Sequence, residues 1–370
     1  MQPLAKLRCL CKESWKLRHT LLRPTGCRLS SSKAAEPLRI LFCGSDHFSV
    51  ASLRAIHHEH IRDPELIASI DVACRPGKRT GRGLKTVREV PIKSIAQALA
   101  WPVHEIDTFT GWTPPSINLV IAVSFGLLVP PRILNGAKYG GLNLHPSLLP
   151  DLRGPAPLHH TLLQRRVHTG VSLQTLHPKY FDQGTILAQT PLPGLKVPDK
   201  CTPDALLEML TPVGADMLVQ ALRGRLFVPP LAGVRTCRAV EADTKLKHAP
   251  KVTPKDRQID WATWTADEIL LRHHVLGNLW DDTSYRSPHN GSQGVKRTIY
   301  HGWEALSDSS GYVHTGSGHR NPFTIPAGSA SPRVVFDTCG RVLLSPTELT
   351  IEGMSRSSSM KAFVESCRER

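Results

Sequence analysis

The chain has 370 residues, 40% of them hydrophobic, with 46 Lys and Arg against 31 Asp and Glu, a formal charge of +15. That length suffices for two domains with cores of their own, and no apolar run reaches the roughly 18 residues of a membrane span. The positive balance invites an acidic partner such as nucleic acid.

The charge is unevenly placed. Residues 1–33 hold eight basic side chains (Lys6, Arg8, Lys12, Lys16, Arg18, Arg23, Arg28 and Lys33) and one acid, Glu13, which leaves 38 basic against 30 acidic residues elsewhere. A basic, Leu-rich start without a long apolar centre, ending in Ser30-Ser31-Ser32, has the composition of a mitochondrial transit peptide. The alternative is a disordered basic arm that touches RNA. The nine cysteines are scattered and form no Cys-x-x-Cys pair, so neither a zinc site nor a disulfide framework is expected.

Leu38–Gly44 is a compact apolar run that predicts the first strand of a parallel sheet. Apolar residues at 50, 53 and 56 then predict a helix. Ser45-Asp46-His47 follow Gly44, so the glycine cluster of a dinucleotide site is missing while the architecture survives. Residues 66–74 predict a second strand. Residues 75–85 (Arg-Pro-Gly-Lys-Arg-Thr-Gly-Arg-Gly-Leu-Lys) predict a mobile cationic loop without regular structure, and its charges suit phosphates.

A proline-opened helix is expected over 91–100, a short strand at 102–106, a long buried strand at 118–126 and a short helix from Pro130. The next stretch, Asn143-Leu144-His145-Pro146-Ser147-Leu148-Leu149-Pro150, places Asn143 and His145 on one face of an extended chain. As a pair, an amide and an imidazole at a strand end are more often a hydrogen-bonded cap than a catalytic dyad. His159 and His160 fall on a helix start and read as ordinary helix histidines, since a third metal ligand is missing. Strands are expected at 170–176 and 185–190, with Asp182 on the loop between them, where an aspartate before a glycine commonly caps its own backbone. Thr202 and Pro203 open a long amphipathic helix to about Leu222.

The whole octapeptide, together with Phe181-Asp182-Gln183-Gly184-Thr185-Ile186-Leu187, resembles the signature of enzymes that move a formyl group from 10-formyltetrahydrofolate to an amine. The resemblance implies an α/β fold: a Rossmann-like parallel-sheet formyltransferase domain and a C-terminal open β-barrel of the oligonucleotide-binding type. The expected boundaries are a transit peptide at 1–33, the catalytic domain at 34–228, a basic linker at 229–257, the tRNA-binding barrel at 258–355 and a tail at 356–370. Short strands at 295–300, 333–336 and 342–344 fit the barrel.

By the same resemblance Asn143, His145 and Asp182 are the catalytic residues, and Ser147, Leu148, Leu149 and Pro150 form the folate-binding wall. Arg79, Arg82 and Lys85 contact the acceptor end of a tRNA. The chemistry needs an oxyanion donor, a proton carrier and a group that orients the carrier. Asn143 suits the first role, and His145 and Asp182 share the other two. No metal is needed, and 10-formyltetrahydrofolate serves as co-substrate.

The cationic loop, the basic entry to the second domain and the N-terminal segment favour the family's methionyl-tRNA members. The expected partner is therefore initiator methionyl-tRNA, in the mitochondrial matrix, with no membrane partner and a monomeric chain. A hydrolase or purine-precursor formyltransferase, or a non-catalytic RNA-binding module on the same fold, are the alternatives.

Overall fold

Apolar runs such as Leu38–Gly44 offer water no polar face, so each must be covered on both sides as a sheet interior strand. The computed structural model describes residues 33–234, 246–286, 293–306, 336–337 and 343–368. The basic N-terminal segment, the middle of the expected linker, the Ser/Gly-rich stretch 307–331 and the expected strand residues 333–335 and 342 lie outside the described residues.

In chain order the first half runs β1 (Leu38–Gly44), α1 (His47–Arg62), β2 (Ile67–Cys74), β3 (Lys78–Thr80), β4 (Thr86–Arg88), α2 (Pro91–Ala98), β5 (Val103–Glu105), β6 (Leu119–Val123), α3 (Pro131–Gly136) and β7 (Gly141–His145). It continues with α4 (Pro157–Leu163), β8 (His168–Thr169), β9 (Ser172–Thr175), β10 (Ile186–Gln189), β11 (Leu195–Lys196) and α5 (Pro203–Arg223). Seven strands make one sheet in the order β10-β9-β7-β6-β1-β2-β5. The strands from β7 to β5 pair in parallel, while β9 and β10 add an antiparallel edge.

Helix α1 starts where Asp46 accepts the Ser49 N–H, and α5 where Thr202 accepts the Ala205 N–H, so each helix satisfies one of its orphan donors. By length and composition α5 could cross a membrane, but Leu206, Leu210, Leu218 and Leu222 are fully buried in the core. Glu59 of α1 is buried between Arg62 and Arg223 of α5, its carboxylate accepting from both guanidinium groups.

The cationic segment differs from expectation. Residues 78–80 and 86–88 form a short antiparallel hairpin, Lys78 opposite Arg88 and Thr80 opposite Thr86. A backbone ladder needs no apolar side chains, and Gly81 and Gly83, at φ 78° and 73°, make the reversal at no steric cost. The run that looked too glycine-rich for regular structure thus uses its glycines to close a regular one.

The C-terminal part comprises α6 (Ala266–Leu276), β12 (Leu279–Arg286), β13 (Gln293–Leu306), β14 (Phe336–Asp337), β15 (Leu343–Ile351) and α7 (Arg356–Arg368). Its strands form an antiparallel sheet, β12-β13-β15-β14, which among the described residues is small and open. Helix α6 serves two cores: Ala266 and Ile269 pack with Tyr300, Leu349 and Phe363, whereas Val275 and Leu276 pack into the core of the seven-stranded sheet. The stretch read as a polar tail is helix α7. Ser359 is fully buried, donating to the Ser355 carbonyl and accepting from the Ile351 N–H, and this internal bonding lets a serine-rich turn sit against the core.

Candidate active site

Strands β6 and β7 are parallel neighbours, so both end at the carboxyl edge of the sheet, the edge where open α/β folds bind ligands. A cavity of about 670 Å³ opens there, within the size range of small-molecule sites. Asn143 and His145 reach it from β7, as the two-residue alternation requires. Asp182 reaches it from the loop between β9 and β10. The apolar wall opposite is built by residues 125–129 and Leu207.

The three polar groups converge. Asn143 Nδ2 donates to Asp182 Oδ1 at 3.1 Å, and His145 Nδ1 lies 3.5 Å from the same oxygen. Asp182 Oδ2 accepts from the Gly154 N–H at 2.9 Å. His145 Nε2 is 3.0 Å from the Leu152 carbonyl oxygen. A carbonyl can only accept, so Nε2 carries a hydrogen and Nδ1 is left as the atom that can exchange a proton on the Asp182 side. One N–H of the Asn143 amide is engaged by Asp182; its second is available to an oxygen in the cavity.

Gln174 is a fourth member that sequence reasoning missed. It stands directly opposite Asn143 in the β7/β9 ladder, donates from Nε2 to Asp182 Oδ1 at 3.1 Å and accepts the Gly184 N–H. The sequence showed only Ser172 and Gln174 alternating with apolar residues on an expected strand; the structure shows that both are buried. Buried polar groups at that spacing imply partners on one face. Asp182 itself sits at φ 54°, a region that aspartate tolerates better than most residues.

The expected folate wall is not brought to the cavity. Ser147 and Leu149 are buried, at 1% and 2% exposure, and residues 147–150 do not line the opening. Ser147 Oγ donates to the Asp151 carbonyl, while the Ser147 carbonyl accepts from Ser172 Oγ. The hydroxyl is therefore spent on holding its own loop. Arg79 and Lys85 are exposed on and beside the hairpin that follows β2; the side chain of Arg82 lies outside the described residues.

His159 also lines the cavity. Burial, reinforced by the charge of His160 and Arg257, holds its pKa below the ordinary histidine value, so near neutral pH it presents an uncharged imidazole. Among the described residues there is no group of three or more His, Cys, Asp or Glu side chains able to hold a metal ion.

Comparison with known proteins places this geometry among relatives. The family model for formyl transferase matches residues 38–222. The mitochondrial methionyl-tRNA formyltransferase of Saccharomyces cerevisiae is 31% identical, over 89% of this chain and 90% of that protein. The Homo sapiens protein of the same name is also 31% identical, over 75% of this chain, but the match spans only 64% of its own length. Among solved structures, an N-formyltransferase from Helicobacter canadensis in complex with folinic acid and dTDP-3-aminofucose superposes with a TM-score of 0.50 at 14% identity, covering 84% of this chain and 98% of that one. At that identity the likeness speaks for the fold alone.

Proposed function

The chain belongs to the formyl transferase family, and we propose that it moves the formyl group of 10-formyltetrahydrofolate onto the amine of initiator methionyl-tRNA, in the mitochondrial matrix. The observation that carries this reading is the meeting of Asn143, His145 and Asp182 at one oxygen, Asp182 Oδ1, on the wall of a cavity large enough for a folate. Its apolar face at residues 125–129 suits a flat conjugated ring. Ser147–Pro150 support that site from behind.

In the proposed reaction the lone pair of the methionyl amine attacks the formyl carbon, and the carbonyl electrons move onto oxygen. The second N–H of Asn143 meets that oxyanion. The nitrogen–carbon bond to the folate then breaks, its electron pair leaving with N10. The proton shed by the amine is delivered to N10 through the His145 Nδ1 and Asp182 pair. Gln174 and the Gly154 N–H hold the carboxylate aimed. His159, held neutral, places no competing positive charge beside the amine.

The open C-terminal sheet, read as an oligonucleotide-binding barrel, and the Arg79/Lys85 hairpin take the tRNA. The hairpin leaves the same carboxyl edge of the sheet as the catalytic residues, because β2 runs parallel to β1 and β6. The double variant Arg79→Ala/Lys85→Ala is expected to weaken tRNA binding and make its log–log salt dependence shallower by about 1.5, at roughly 0.7–0.9 per phosphate contact. An unchanged slope in a filter-binding titration would remove the hairpin from the tRNA interface.

The test of the whole reading is formyl transfer from labelled 10-formyltetrahydrofolate by the purified protein, with methionyl-tRNA, a purine-precursor amine and water compared as acceptors. Label in methionyl-tRNA alone is the expected result. Label in the purine precursor, or release of free formate, would assign the site to a different member of the family.

A further inference from the structure

The backbone of the connector between the two halves of the chain runs beside the catalytic loop. The Leu152 N–H donates to the Lys247 carbonyl at 2.9 Å, the Ala249 N–H to the Arg153 carbonyl at 2.7 Å, and the Ala156 N–H to the Ala249 carbonyl at 3.2 Å. Arg153 and His248 form a parallel bridge. The Lys247 N–H is taken by Asp151 Oδ1 at 2.9 Å. Ala249 is fully buried, and His248 faces the cavity. Residues this far apart in sequence thus form a miniature strand pair, in a segment whose composition suggested a solvated basic linker.

The loop it clamps makes two of the contacts that fix the catalytic groups. The Leu152 carbonyl receives His145 Nε2, and the Gly154 N–H is donated to Asp182 Oδ2. Leu152 holds a left-handed backbone at φ 56°, which a branched aliphatic residue keeps only where its surroundings over-determine it. Gly154, at φ 120°, passes so close that a Cβ there would sit 2.5 Å from the Ala249 carbonyl oxygen. The strained residue, the close approach and both catalytic contacts fall within three positions of one another.

We propose that residues 247–249 are a positioning element of the active site: their backbone splints the loop at 151–154, and the splint sets where His145 and Asp182 point. The connector is then more than a tether to the tRNA-binding half, because the catalytic geometry is incomplete without it. The inference rests on the catalytic roles proposed above.

Two variants test it from opposite sides. Gly154→Ala pushes the loop off Ala249, and Asp151→Ala removes the carboxylate that receives the Lys247 N–H. In each, kcat is expected to fall, by about ten- to a hundredfold in Gly154→Ala and less in Asp151→Ala, with KM for 10-formyltetrahydrofolate little changed, since displacement by about 1 Å suffices for losses of that size. The loss of kcat should persist per folded molecule, the folded fraction being measured by circular dichroism and denaturant unfolding. A variant that merely folds less well would show wild-type kcat per folded molecule.

Unchanged kcat per folded molecule in both variants, or a raised KM for 10-formyltetrahydrofolate at wild-type kcat, overturns the inference. Full activity of Asp182→Asn would instead overturn the catalytic assignment on which it rests.

Discussion

Asp182→Asn should retain folate and tRNA binding and lose about three orders of magnitude in kcat, within the range of roughly 10²–10⁴ that a positioned proton-transfer group supplies. The carboxylate is met by donors: Asn143 Nδ2 and Gln174 Nε2 at Oδ1, and the Gly154 N–H at Oδ2. An amide is nearly isosteric but has one acceptor oxygen, and its NH2 would face a donor it cannot satisfy. His145 Nδ1, 3.5 Å from Oδ1, would lose the carboxylate with which it exchanges the proton. The loss should therefore be in kcat, with KM for 10-formyltetrahydrofolate nearly constant, as for an interaction realised in the transition state. Steady-state kinetics with each substrate varied in turn checks this. A variant that raises KM at wild-type kcat would make Asp182 a binding residue.

Glu59→Ala should cost about 3 kcal/mol of stability, the lower end of what breaking a buried ion pair costs. The side chain is 2% exposed and takes hydrogen bonds from Arg223 at 2.6 and 2.8 Å, tying α1 to α5 across the face of the sheet. The two arginines are partly solvated, which keeps the loss at that lower end. Hydrogen bonding from Arg223, with a further contribution from Arg62, holds the Glu59 pKa down at about 2 against an ordinary value of 4.5. A carboxylate with a depressed folded-state pKa stabilises the fold above its unfolded value and loses that contribution as pH falls toward the folded one. The gap in stability between wild type and Glu59→Gln should thus be full above pH 4.5 and shrink between pH 4.5 and 2. Denaturant unfolding across that window measures it; a gap independent of pH would show that the charge contributes nothing.

What could be read from the chain follows from the range of the forces involved. β1, β2 and β6 are predominantly apolar segments whose burial is dictated locally, and the structure has each within a few residues of its expected bounds. Asn143 and His145 share a face because a strand alternates, and the β9 and β10 pairing brings Asp182 to them. Contacts made by backbone alone were not legible. The splint at 247–249 bonds through N–H and C=O groups that every residue carries, so its sequence shows only basic charge. The hairpin at 78–88 likewise rests on a ladder without an apolar pattern. The resemblance implied a folate-binding role for Ser147, and in the structure the Asp151 carbonyl accepts its hydroxyl. Helix α7 hid behind serines whose hydroxyls are satisfied internally.

The claim on which the account turns is that one imidazole, held between the Leu152 carbonyl and Asp182, moves the proton that formyl transfer requires. Single-turnover transfer from 10-formyltetrahydrofolate to methionyl-tRNA, measured beside tRNA affinity for wild type and His145→Ala, tests it most directly. The account predicts a loss of about a hundredfold or more in the transfer rate with tRNA affinity unchanged. A His145→Ala enzyme that transfers formyl at the wild-type rate would contradict it.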